Sequence, residues 1–597
     1  MTGVDAGGHR GAHARTAAAR TGELALPGSG RPSGTGGTPG APAGAAGEPS
    51  AAAWRSLTER LLVPVIPAIL GLFTGIYRLG VPPLWRDEAA TKAIASRTAG
   101  QILATMPHDD VVHGAYYLVV HVFIGLFGSS NAVLRLPSAL AAAVACAFTA
   151  LVARRLAAGG GRAAGPGGWA ALTGVTAGVV LALLPAMIRY AQEARSYAIV
   201  TMLASIATYL LLRAIDRGRP GWWAGYGAAV FLTGLFNIFG LLVAVAHGLT
   251  LLAVGWHPSG GRVPAGPYYG ADYDSPAGEQ PRGRRLLGVP AGWLTAGLAA
   301  VLLLVPLVAM AYAQRNALSW MSATASLGRD TVALAHFWAG SPGLVWPVFG
   351  LAGLGVVASL IAAPRSLSPA TVALPWLVAP PAILLAVSAT HPVYDQRYVE
   401  FCLPGLAVCA AAGISWLWRL ADLGLGRLTG GGRGAVGWLA CLPAVAAAVA
   451  LAVALQPADA VVRQPGYRPD NLEHEAQIIA ANAKTGDIVF FIPLNDRIVS
   501  LPFPGPWRKL RDIALANSPV SSNTLYGTDV SPAGLLQRYT HVSRVWVVSS
   551  SEVPEATYLA SAQATPLDKE EFDLVGAMRM VHRWRDGDTE LTLYAAR

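Results

Sequence analysis

Four short polar runs interrupt a largely apolar chain, and each carries side chains able to do chemistry. The first, Trp85-Arg86-Asp87-Glu88-Ala89-Ala90-Thr91, directly follows the first membrane-length apolar stretch at 61–79. The others are His108-Asp109-Asp110-Val111-Val112-His113-Gly114-Ala115-Tyr116-Tyr117, Arg189-Tyr190-Ala191-Gln192-Glu193-Ala194-Arg195-Ser196-Tyr197 and His391-Pro392-Val393-Tyr394-Asp395-Gln396-Arg397-Tyr398. A carboxylate beside hydrocarbon is costly to leave idle, and an ionised one accepts a proton from an attacking hydroxyl. Asp87 is the candidate base. Glu88 orients it, contacts substrate or exchanges roles with it, since so close a pair titrates as a unit. Arg195 and Arg397 are the candidates for holding a phosphate, because a guanidinium is a planar fork of donors that stays charged. His113, Tyr116, Gln192 and Glu193 are the candidates for touching the rest of a substrate.

Each residue also has a plainer role available. Asp87 can cap a helix running through Thr91 and Ile94, with Glu88 near its positive end. Arg195 can pair with Glu193 or reach lipid headgroups, and Arg397 can pair locally with Asp395. His113, next to two tyrosines, can be a hydrogen-bonded interfacial residue. His108, Asp109, Asp110 and His113 hold metal-binding atoms, but residues this close in sequence rarely face one ion and no outlying ligand accompanies them, so no metal is expected.

The elements that position these runs follow from composition. The chain has 597 residues, 53% of them hydrophobic and 13% charged, with a mean hydropathy of +0.44. That balance is foreign to a water-soluble chain of this length and marks a polytopic membrane protein. The net charge of +10 is spread over short loops between apolar runs, so it follows membrane topology and not nucleic-acid binding. Cys146, Cys402, Cys409 and Cys441 lie in apolar runs without metal-ligand spacing, which argues against a zinc site or disulfide framework.

Residues 1–53, rich in Gly, Ala, Pro and Arg, read as a disordered cytoplasmic tail. The segment 87–106 suits a surface-lying helix, and the apolar run ending at Phe127, about 14 residues, falls short of the roughly 20 that cross a membrane. With that run half-embedded, spans are expected at 61–79, 132–152, 170–187, 198–212, 222–236, 238–256, 286–311, 344–361, 372–389, 399–418 and 438–455. Arginine then falls on the cytoplasmic side at each turn. This gives about 11 spans, an internal N-terminus and an external C-terminus. The polar loop with Tyr268, Tyr269, Arg282, Arg284 and Arg285 is cytoplasmic, and the outer loop at 314–342 carries a helix at 330–339. The domains expected are the tail at 1–53, a membrane catalytic domain at 54–455 and an external α/β domain at 456–597. In the last, a helix is expected at 473–483, strands at 487–492 and 544–549, and a hairpin around Asp586-Gly587-Asp588.

This topology brings Asp87-Glu88, His108 to His113, Gln192-Glu193-Arg195, Arg315 and Asp395-Arg397 to one outer face, as one site built from several helix ends requires. The chemistry that fits is transfer of a sugar from a phosphate-linked donor. A single base and no second nucleophile favour inversion. The alternative from another class is a transporter or lipid flippase, which calls for ionisable groups at mid-membrane, whereas these cluster at helix ends.

Taken together, Trp85-Arg86-Asp87-Glu88, the run from Asp110 to Tyr117, Leu134-Arg135-Leu136-Pro137-Ser138, the run from Arg189 to Tyr197 and Gln396-Arg397-Tyr398 resemble a known family. It is the bacterial branch of the C-type (GT-C) membrane glycosyltransferases, related to protein O-mannosyltransferases and aminoarabinose transferases. The nearest likeness is to actinobacterial membrane mannosyltransferases, over residues 60–455. The resemblance implies a GT-C-like fold with helices along the membrane in the first external loop, and puts Asp87 at the family's catalytic acidic position with Glu88 beside it. It also implies a polyprenyl-phosphate sugar as donor, with no separate cofactor, membrane lipids as surroundings, and an external glycan, lipid or protein as acceptor. His113-Gly114-Ala115-Tyr116-Tyr117 departs from the wider pattern His-Pro-Pro-Leu-Tyr-Tyr, so the resemblance does not fix this loop's contacts or the acceptor.

Overall fold

The computed structural model describes residues 51–158, 168–255, 288–315, 326–362, 366–429, 441–551 and 555–597, with Arg55–Arg597 forming one compact unit. The expected tail up to residue 50 and the loop from Tyr268 to Arg285 lie outside the described residues. The first half is helical: α1 (Ala51–Ile76), α2 (Arg86–Ala95), α3 (Ala99–Thr105), α4 (Gly114–Phe127), α5 (Asn131–Ala158), α6 (Gly168–Leu183), α7 (Pro185–Ala191) and α8 (Tyr197–Arg217). Then come α9 (Pro220–Phe236), α10 (Leu242–Gly255), α11 (Gly288–Ala313), α12 (Leu327–Ala339), α13 (Pro342–Ala362), α14 (Leu374–Ser388), α15 (Leu403–Thr429), α16 (Cys441–Val462) and α17 (Leu472–Asn482).

Among the described residues, seven helices are long and apolar enough to cross a membrane, or eight if α6 and α7, bent by 65°, form one broken span. The chain is a multi-pass membrane protein. The other three expected spans fall on α1, α9 and α16. Of these, α1 has 26 residues, α16 has 22 and α9 has 17. The break in the expected span at 170–187 has a local cause. Pro185 has no N–H to bond the carbonyl one turn back, and its ring clashes with that turn.

The bundle has a buried centre and a greasy rim. Helices α5, α8 and α15 supply much of the core, whereas Leu302 and Leu303 of α11 remain 68% and 67% exposed, as lipid-facing side chains do. At the crossing of α13 and α15, a Cβ on Gly355 would lie 2.0 Å from the Cys409 carbonyl oxygen, so only glycine lets these backbones meet.

The C-terminal part is α/β. Its strands are β1 (Ile488–Ile492), β2 (Arg511–Asp512), β3 (Leu515–Asn517), β4 (Thr528–Asp529), β5 (Arg544–Ser550), β6 (Arg579–Asp586) and β7 (Thr589–Ala595). Five form one sheet in the order β2-β1-β5-β7-β6, with β1 parallel to both neighbours and β6-β7 the expected hairpin. Strand β1 is buried on both faces, and its alternation assigns each face a core. Ile488, Phe490 and Ile492 pack with Leu535, Phe572 and Val575. Val489 and Phe491 belong to a cluster that also contains Ala89, Ala90 and Ile94 of α2, Ile102 of α3 and Tyr117 of α4. The sheet therefore shares a hydrophobic core with the helices that follow α1.

Candidate active site

Helix α2 begins at Arg86, with Trp85 in the cap position and no side-chain cap. Asp87 is thus inside the first turn, and its carboxylate turns to distant partners instead of capping. Arg397 Nη1 donates to its Oδ2 at 2.7 Å, and Arg195 Nη2 lies 3.3 Å from its Oδ1. The two guanidiniums predicted to hold a phosphate therefore flank the predicted base, whose side chain is 26% exposed.

Local structure delivers each member. Past the break at Pro185, the turn at 192–196 leads into α8 and presents Arg195 just before it. Both polar groups of the adjacent Ala194 backbone are held by α2: its N–H donates to Glu88 Oε1 at 2.9 Å, and its carbonyl accepts from Thr91 Oγ1 at 2.8 Å. Glu88 and Thr91, three apart, share one face of α2, so the spacing in the first run fixes Arg195 relative to Asp87. Arg397 sits in a 3-10 turn, Gln396–Cys402, whose cap Asp395 accepts from the Arg397 N–H at 3.0 Å and faces its Nε at 3.2 Å.

The loop before α4 closes another side. Asp110 adopts a left-handed backbone (φ 51°), which aspartate tolerates better than most residues. There its carboxylate meets His113 Nδ1 at 2.6 Å, Arg195 Nη1 at 3.2 Å and the Tyr117 hydroxyl. His113 also meets Tyr197 edge-on, with ring centroids 6.4 Å apart.

Electrostatics keep both carboxyl groups ionised. Burial by itself raises the Asp87 pKa, but Arg195 and Arg397, with His113, outweigh it and hold the group below its ordinary value. Burial likewise opposes ionisation of Asp110, and His113 and Arg195 hold its carboxyl well below the usual range.

The remaining candidates lie behind this cluster. Glu88 is fully buried against Arg135, whose Nε and Nη2 donate to it at 2.7 and 2.6 Å. Arg135 donates further to the carbonyls of Leu79, Pro82 and Pro83, so all five of its N–H groups are used. Tyr116 is buried with its hydroxyl 2.9 Å from Ser138 Oγ. Gln192 donates to the carbonyls of Gly75 and Tyr77 at 3.1 and 2.7 Å. Glu193 is enclosed by Arg189 and by Arg468, which is 3.2 Å away. Arg315 bonds the Tyr312 carbonyl at the end of α11. No group of three or more His, Cys, Asp or Glu among the described residues is arranged to hold a metal ion.

Sequence reasoning gave no role to three contributors. Arg135, a charge at the start of an apolar helix, was discoverable because such a charge must find a partner. Arg468 and Tyr526 gave no signal, because both come from the C-terminal part. The Leu525 N–H donates to Asp109 at 2.6 Å, and Tyr526, half-buried beside Asp110, Asp109 and Asp87, has its phenol pushed upward by desolvation and then by those charges.

No family model and no curated protein matches the sequence. Among solved structures the chain is similar to ArnT from Cupriavidus metallidurans in the apo state, at 15% identity and TM-score 0.49, with 90% of this chain and 98% of that chain covered. It is also similar to ArnT bound to undecaprenyl phosphate, at 16% identity and TM-score 0.49, covering 91% and 98%. A third similar structure is the archaeal oligosaccharyltransferase AglB from Archaeoglobus fulgidus with an inhibitory peptide and a dolichol-phosphate. There the identity is 13% and the TM-score 0.47, covering 91% and 75%.

Proposed function

We propose that this membrane protein is a glycosyltransferase that moves a sugar from a polyprenyl-phosphate donor to an acceptor at the outer face of the cell membrane. The sugar is mannose on the strength of the motif resemblance, and the external part beyond residue 455 faces the acceptor. The observation that carries the reading is one partly open carboxylate, Asp87, flanked by two guanidiniums from separate helix ends. Those are the parts the reaction needs.

The acceptor hydroxyl oxygen attacks the anomeric carbon from the face opposite the phosphate. As that C–O bond forms, the bond to the phosphate breaks and its electron pair leaves on the phosphate oxygen, with inversion at carbon. Arg195 and Arg397 balance the growing negative charge, so no resident cofactor is needed. The hydroxyl proton passes to Asp87. A phosphate brought to these arginines competes with Asp87 for them, and the carboxylate they release is a stronger base than the clamped one. In this reading Asp110 and Tyr117 hold Arg195, His113 borders the substrate, and Glu88, Gln192, Glu193 and Tyr116 support the frame from behind.

Membranes containing the parent or Asp87→Asn, supplied with labelled polyprenyl-phosphate mannose, test this directly. Label should enter glycan, lipid or protein with the parent and fall about 10³-fold in the variant. Equal incorporation by the two would sink the assignment.

A further inference from the structure

On a helix, successive residues point about 100° apart, so Arg86, Asp87 and Glu88 face three directions. Glu88 is sealed against Arg135 of α5. Arg86 turns to the C-terminal part. Its guanidinium meets Asp496, lies 3.4 Å from Asp470 through Nε and donates to Thr589 Oγ1 at 3.0 Å, while its backbone N–H reaches Asp470 Oδ2 at 3.4 Å. These partners come from three places: the approach to α17, the 3-10 turn Leu494–Ser500 after β1, and the start of β7. Asp470, Asp496 and Thr589 are all almost completely buried.

We infer that Arg86 is a positioning residue through which the C-terminal sheet sets where the Asp87 carboxylate stands between Arg195 and Arg397. The inference rests on Asp87 being the base. Two anchors on different sides of α2 fix its rotation, and the residue between them can then be neither withdrawn from the arginines nor pushed past them. A half-buried arginine facing two buried carboxylates is a poor device for stability alone, since desolvating the carboxylates consumes much of the attraction. What it supplies is a defined orientation. The second tie, from Leu525 in the turn before β4 to Asp109, holds the neighbouring acidic loop against the same C-terminal part.

The test uses full-length Asp87→Asn, Arg86→Lys and Asp496→Asn in detergent, with kcat, KM for polyprenyl-phosphate mannose and pH profiles taken per folded molecule. The charges facing Asp87 are Arg195, Arg397, His113 and Asp110, and those facing Arg86 are Asp470, Asp496 and Glu475. Arg86→Lys keeps the charge and loses the fork. It should lower kcat about 10-fold, and Asp496→Asn up to about 100-fold, with KM within about twofold. In both variants the acid limb of kcat/KM should move to higher pH as the carboxylate drifts from its arginines. The direction is diagnostic, because deleting the Asp496 charge without displacement lowers the Asp87 pKa and moves the limb down. A limb that stays or moves down in Asp496→Asn, or kcat per folded molecule equal to the parent's, overturns the positioning role while an inactive Asp87→Asn leaves the base assignment standing. Parental transfer by Asp87→Asn overturns both.

Discussion

Asp87 keeps 26% of its side chain exposed between two arginines, whereas Glu88, one residue on, is sealed with Arg135 at zero exposure. Both are carboxylates on one helical turn, both face guanidinium, and the Arg397 bond to Asp87, at 2.7 Å, is as short as those from Arg135 to Glu88. What differs is completeness. Arg135 spends every donor on Glu88 and three carbonyls of the 79–83 turn, so nothing else can enter without breaking the fold. Arg195 and Arg397 divide themselves among Asp87, Asp110 and Asp395 with solvent at the margin, and a competing anion can trade places there. Closed pairs build the frame and open pairs exchange.

The largest effect that tests this contrast comes from Arg135→Ala, which strands Glu88 in a dry site. Thermal unfolding in detergent should show a loss of about 3–5 kcal/mol, and an apolar double replacement of Arg135 and Glu88 should recover most of it. If the single variant were as stable as the parent, the closed pair would be no frame element.

Asp110 comes next, tied to His113 and Arg195. Asp110→Asn should cost about 2 kcal/mol at neutral pH. Because its folded pKa lies below the unfolded value, that advantage is full above about pH 4 and disappears as pH falls through the lowered value. Unfolding midpoints of parent and variant should converge in acid, and a gap independent of pH would contradict the ion-pair account.

For the open pair the effect is smaller and of another kind. Arg195→Lys or Arg397→Lys should weaken polyprenyl phosphate binding about tenfold, about 1.4 kcal/mol, with little change in unfolding temperature. Unchanged affinity would remove the phosphate role. Smallest of all, Arg585→Ala breaks an exposed pair with Glu590 and should change stability by less than about 1 kcal/mol.

Much of the site was legible because charge is rare in this chain and confined to helix ends. Asp87, Arg195 and Arg397 were each named from a short polar run, and the structure brings all three within hydrogen-bonding or ion-pair distance. Sequence named Asp87 as the base but left the role of Glu88 open, and did not reveal that Glu88, Gln192, Glu193 and Tyr116 point into the frame. Adjacency in a chain says nothing about face until the helix is seated. One helix, two strands and the terminal hairpin of the C-terminal part were readable from periodicity, yet its packing against α2 was not, since Ala89, Ala90 and Ile94 read equally well as part of a helix lying on the membrane surface.

The amino-acid sequence by itself determined that this is a multi-pass membrane chain, where most of its apolar helices run, and which few charges sit at their ends. Hydropathy and backbone preference act among near neighbours, so a linear reading captures them. The tertiary structure alone decided which carboxylate stays open and that Arg86 belongs to the C-terminal sheet. Arg397 reaches Asp87 across 310 residues and Arg86 reaches Asp496 across 410, and charges pair according to the proximity and burial that folding creates.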